Sequence, residues 1–170
     1  MKTSISGMTL VEIMIALAIA ALMTLTGWRA VDALQDSRDR IVNEAAQWQR
    51  LDDFFVSLEA DLRRSSISEF SGNGNALAML QPALDGSADI RAVRYLFAPV
   101  SLVDGSGAVQ VMRTTDAERT PMADVRSLAI VYSIDGTKFE SAVTAYPRAL
   151  KVTVQPIGVS GPVERVLALR

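Results

Sequence analysis

Between Gly7 and Trp28 this sequence offers water almost nothing to hold. From Met8 onward the residues are apolar or small, with a few threonines and a single charge, Glu12. About twenty such residues, at about 1.5 Å each along a helix, span a bilayer core of roughly 30 Å. A carboxylate at the centre of a membrane helix costs on the order of 2.5–3.5 kcal/mol, so Glu12 needs a partner. The apolar run is too long for the core of a secretory signal, and no small-x-small cleavage site follows it. Lys2 ahead of the span orients it with the N-terminus in the cytoplasm and the bulk of the chain outside, against the weaker pull of Arg29 beyond it.

Of the 170 residues, about 140 remain outside the bilayer, enough for one domain with its own core. The formal net charge of −2, with arginines scattered rather than clustered, gives no footprint for nucleic acid. Cys 0 removes disulfides and thiolate chemistry. His 0 removes the commonest general base and metal ligand, and with it zinc enzymes and Ser-His-Asp hydrolases.

From Met8 to Arg64 there is no proline, and Gly27 is the only glycine. After Trp28, apolar residues fall at Val31, Leu34, Ile41, Ala45, Trp48, Leu51, Phe55, Leu58 and Leu62. Spacings of three and four predict one amphipathic helix over 8–64, membrane-spanning over 8–28 and outside the membrane over 29–64. A coiled-coil seam would need clean heptads, and the register slips between Trp48 and Leu51. The stripe is expected to pack on the chain's own sheet through Trp48, Leu51, Phe55, Leu58 and Leu62, with Phe54 adding area.

Past residue 64 the pattern changes. Ser71 to Asn75 reads as a turn-rich linker, not a phosphate loop, since no third glycine or preceding strand accompanies it. Strands are expected at 76–80, 92–97, 109–114, 125–133, 138–141, 150–155 and 163–169. Asp135-Gly136 is a hairpin turn signal, and 83–89 and 116–124 read as loops. The expected fold class is α+β: a long N-terminal helix packed on an antiparallel sheet domain over 65–170.

The opening stretch, Gly7-Met8-Thr9-Leu10-Val11-Glu12-Ile13, resembles the prepilin signal of type IV pilins and type II secretion pseudopilins, with Met8 where most members have Phe. The resemblance implies cleavage by a prepilin peptidase between Gly7 and Met8. It also implies N-methylation of Met8 as the mature N-terminus, and an assembly role for Glu12 against the amine of a neighbouring subunit. The absence of cysteine tilts it toward pseudopilins.

Further along, Trp28-Arg29-Ala30-Val31-Asp32-Ala33-Leu34 and the stretch from Leu51 to Asp61-Leu62-Arg63 resemble the helix of J-type minor pseudopilins. Tyr146 to Val154, then Val163 to Leu167, resemble that family's C-terminal strands. The implied role is structural and non-enzymatic. The implied partners are the I- and K-type minor pseudopilins, the major pseudopilin, the prepilin peptidase and an inner-membrane assembly platform. The implied location is the inner membrane, single-pass, with the C-terminal domain in the periplasm.

The remaining carboxylates, Asp85, Asp89, Asp104, Asp116, Glu118 and Asp124, lie in or beside loops, and none follows a calcium-loop pattern. Glu164 stands alone in the C-terminal hairpin. No metal site, cofactor or catalytic residue is therefore expected. Three readings stay open: a J-type minor pseudopilin, a minor pilin of a type IV pilus, and a signal-anchored periplasmic enzyme built from Asp, Glu, Lys or Ser.

Overall fold

A computed structural model describes residues 9–65, 69–83, 89–116 and 118–169. One helix, α1, runs Leu10–Arg64 without a break. Seven strands follow: β1 Phe70–Asn73, β2 Ala76–Pro82, β3 Ile90–Ser101, β4 Gly107–Thr114, β5 Arg119–Ser133, β6 Ala149–Pro156 and β7 Val163–Ala168. Each pairs antiparallel with the next, so the sheet order is the chain order. The fold is α+β, as expected. The chain divides into two compact units, Met1–Ala45 and Ala46–Arg170, so the boundary falls inside the helix.

In the first unit every described residue from Leu10 to Ala45 is exposed. Through Trp28 the exposed side chains are apolar on all sides of the helix, and the helix is long and apolar enough to cross a membrane. Thr24 and Thr26 turn their hydroxyls back onto main-chain carbonyls of Ala20 and Leu22, at 2.8 and 3.0 Å. Neither presents a bare hydroxyl to lipid.

In the second unit, the last turns of α1 bury Leu51, Phe54, Phe55, Leu58 and Leu62 against one face of the sheet. That face supplies Leu77 and Met79 from β2, Tyr95 and Phe97 from β3, Val111 from β4, and Ile130 and Tyr132 from β5. Leu150, Val152 and Val154 of β6 complete it, alternating with half-buried Lys151, Thr153 and Gln155 as their sequence predicts. Trp48 departs from expectation: it is 39% exposed. It lies one turn before Leu51, but the half-buried residues of that turn are Ala46 and Gln47, so the face that meets the domain lies to one side of Trp48 there.

The sheet curls because β5 carries two register shifts, one against Val111/Met112 of β4 and one between Val125 and Ser127 against β6. An extra residue on one strand bends it and increases its twist. These bulges also explain why Arg119–Asp124, read from sequence as loop, is strand. They break the alternation and accommodate Pro121, so the segment loses the period-two signature.

A further expectation is corrected at the other end of β5. Lys138–Ser141 is not a strand; Glu140 makes only a lone bridge with Tyr132. Asp135-Gly136 does turn the chain, with Gly136 at φ +84° and Asp135 Oδ1 accepting from the amides of Thr137 and Lys138 at 2.8 and 2.9 Å. Those amides hold the Asp135 carboxyl well below the usual carboxylate range. The segment beyond then travels to the far side of the sheet, where Val143 and Gly72 exchange two main-chain hydrogen bonds at 2.9 Å.

Gly72 shows why the supposed linker is strand β1. A Cβ at this position would fall on the ring of Tyr132, which is fully buried and packed edge-on against Phe70 at 6.0 Å. Asn73 then closes the β1–β2 turn, its Oδ1 accepting from the amides of Asn75 and Ala76 at 2.9 and 2.8 Å. Gly72→Ala is expected to destabilise the domain by about 1–3 kcal/mol through overpacking. A lower urea midpoint at unchanged slope would show it.

Candidate functional site

The features that bear on function lie along α1, one at its start and one near its end. Among the sequence-predicted residues, Gly7 and Met8 lie outside the described residues. Glu12 is in the first turn of α1. The Thr9 amide and hydroxyl donate to Glu12 Oε2 at 2.9 and 3.0 Å, and the Glu12 amide donates back to Thr9 Oγ1 at 3.3 Å. This is a capping box: Thr at the N-cap and Glu three residues later satisfy each other's main-chain donors. A negative charge in the first turn also faces the positive end of the helix dipole. The carboxylate is thus bonded within its own helix, in a segment where all other side chains are suited to lipid.

At the other end, Asp61 is 1% exposed and carries a charge into the core. Arg113 of β4 grips it with two bonds, Nε to Oδ2 at 2.7 Å and Nη2 to Oδ1 at 3.1 Å. Tyr95 of β3 donates its hydroxyl to Oδ2 at 2.7 Å, and Arg64 donates to Oδ1 at 2.9 Å. Gln81 of β2 donates to the Asp61 main-chain carbonyl at 2.8 Å. Burial pushes the carboxyl up, but hydrogen bonds from Arg113, Tyr95 and Gln81 and the Arg113 charge outweigh it, leaving Asp61 below the usual range. Burial and the adjacent carboxylate push the Tyr95 phenol up, so it stays a donor. This cluster ties one helix position to three strands.

The helix end is closed by side chains as well. Tyr146 and Ser65 donate their hydroxyls to the Leu62 carbonyl at 2.8 and 2.7 Å, which satisfies an acceptor that the last turn leaves open. Glu59 and Arg63 form an i,i+4 pair at 2.7 Å, with the acid ahead of the base as the helix favours. On β7, Arg165 lies 4.5 Å over the ring of Phe55 and pairs with Asp52 at 2.8 Å. The predicted packing residues Leu51, Phe55, Leu58 and Leu62 all lie in this interface. Sequence reasoning missed the Asp61 cluster, whose partners are remote in the chain, and the Thr9–Glu12 box, whose Thr-x-x-Glu signature was legible.

Among the described residues, no three His, Cys, Asp or Glu side chains group as metal ligands would. Asp104 instead accepts from its neighbour Ser106, Asp124 from Gln110, and Glu164 from Lys151; Asp85 lies outside the described residues.

Residues 2–27 match the prokaryotic N-terminal methylation motif. The chain carries a type IV pilin or pseudopilin signal. A comparison with curated proteins finds no match. The motif covers the apolar start of the first unit and includes Glu12, and it implies processing by a prepilin peptidase and assembly into pilin-like complexes. A single N-terminal apolar helix fits its anchorage in a membrane. The geometry gives each part of the pilin-like helix a distinct physical character: a self-capped, lipid-compatible beginning and an end locked to the sheet.

Proposed function

We propose that this chain is a J-type minor pseudopilin of a type II secretion system. It would be anchored in the inner membrane with its C-terminal domain in the periplasm. There it would join I- and K-type partners in the complex that starts or caps the pseudopilus, and act as a structural subunit without catalysis. The observation that carries the reading is the methylation motif over residues 2–27, placed on a helix whose described residues are exposed as far as Ala45 and almost all apolar as far as Trp28. Supporting the J type are the resemblances around Trp28–Leu34, Leu51–Arg63, Tyr146–Val154 and Val163–Leu167. In the assembled fibre Glu12 would exchange its Thr9 bonds for the amine of a neighbour, since opposite charges attract strongly where water is excluded. The same motif serves a minor pilin of a type IV pilus, which is the second reading.

Replacing Gly7 by valine in cells that carry the peptidase is expected to leave only precursor. Immunoblots against wild type should show the longer species, and mass spectrometry should find no methylated Met8. A variant still cut after residue 7 would remove the prepilin reading. Loss of secretion on deleting the chain would favour pseudopilus over pilus, and loss of surface fibres the reverse.

A further inference from the structure

The sheet face turned away from α1 carries a group of residues that the pilin-like reading leaves without a role. Tyr95 and Arg113 reach Asp61 on the helix, so their chain neighbours Arg94 and Thr114 project from the opposite face. The register sets Arg94 opposite Thr114, and Thr114 opposite Arg119, in one row across β3, β4 and β5. With strands about 4.8 Å apart, the two arginines stand about 10 Å apart at their Cα atoms. Both are exposed. Among the described residues, neither guanidinium has a hydrogen bond or an ion pair. Between them the Thr114 hydroxyl is buried without a partner, a state that costs about 1–3 kcal/mol.

Two unpaired cations and a stranded hydroxyl ask for the same thing, an anion with oxygen acceptors. Nearby acids do not supply it. Asp124, further along the same face, accepts from Gln110 at 3.1 Å. Asp116 and Glu118 line a separate depression with Arg113. Glu69 shares a hollow of about 360 Å³ with Arg94 without bonding to it. Around the arginines the face is apolar and half-buried: Ala78 is opposite Arg94, and Leu96 and Met112 pair along the same two strands. A free ion would gain nothing from such a skirt. A protein surface would, because apolar contact around a charged pair excludes water from it.

We propose that this outer face docks a neighbouring pilin-like subunit through a carboxylate seated between Arg94 and Arg119. The Thr114 hydroxyl would donate to the same group once the guanidiniums close on it. The inference rests on the proposed pseudopilin role and names a surface that role leaves open. Guanidinium forks match a carboxylate edge better than ammonium groups do.

The test co-expresses the full-length chain with its I- and K-type partners and captures it from detergent-solubilised membranes. Reversing both charges, Arg94→Glu with Arg119→Glu, should lower the captured partner about tenfold or more. The milder pair Arg94→Gln with Arg119→Gln should lower it less, with a melting midpoint near wild type since both side chains are exposed, and it decides the matter should the reversal unfold the domain. Raising salt from about 0.05 to about 0.5 M should weaken wild-type capture. Failure of the wild-type chain to capture either partner overturns the pseudopilin role and this inference with it. Wild-type capture that neither variant diminishes overturns the inference alone.

Discussion

Asp61→Ala should destabilise the folded domain by about 3–5 kcal/mol, because it leaves the Arg113 guanidinium and the Tyr95 hydroxyl without their shared acceptor. For a domain of this size the thermal midpoint would fall by on the order of 10–20 °C. Arg113 is only partly exposed, so water can recover some of its hydrogen bonding, but the Tyr95 hydroxyl is enclosed. The same cluster fixes a pH dependence. Asp61 titrates below its ordinary value in the folded state. Its contribution is therefore complete above the unfolded carboxyl pKa of about 4 and is lost as pH falls further, through the folded pKa. Stability measured by urea unfolding should decline on acidification below about pH 4, and the gap between wild type and Asp61→Asn should narrow over that window.

Phe54→Ala is the second large effect, expected at about 3–5 kcal/mol. Phe54 is fully buried, with ring centroids 5.2 Å from Phe55 and 6.0 Å from Tyr95. Losing it opens a cavity between helix and sheet that neither neighbour can fill, since Arg165 covers Phe55 and Asp61 holds Tyr95. Phe54→Leu keeps most of the volume and should cost clearly less. The two variants compared by thermal melt separate cavity from hydrophobic transfer. Equal melting points for the two would contradict this account.

The helix was legible because its signal is local. Twenty apolar residues, then spacings of three and four, need no knowledge of the rest of the chain, and Leu51, Phe55, Leu58 and Leu62 lie in the core where the period puts them. Trp48 follows the same period and is exposed, because in its turn the half-buried residues are Ala46 and Gln47 and the face that meets the domain has shifted to one side of it. Strand β6 was legible for the same local reason. β1 was not: Gly72 and Asn73 look like turn residues, and the reason a glycine belongs in that strand is Tyr132, 60 residues later in sequence. The Asp61 cluster was invisible for want of any local mark, its partners Tyr95 and Arg113 standing 34 and 52 residues away. An Asp between apolar helix positions could have raised the question of a buried partner, but not answered it.

The bridge between Gly72 and Val143 has a consequence for how the protein behaves among its neighbours. A seven-stranded sheet has two rims, and each unpaired rim is a template on which another chain can add a strand. Here residues beyond β5 are laid against β1, and their mutual hydrogen bonds occupy that rim at its centre. The opposite rim, β7, has Glu164 and Arg165 engaged with Lys151 and Asp52, charges that an incoming strand would have to accommodate. A molecule meant to associate through chosen surfaces, in a crowd of similar subunits, has thereby closed off one of the two routes by which sheets join indiscriminately.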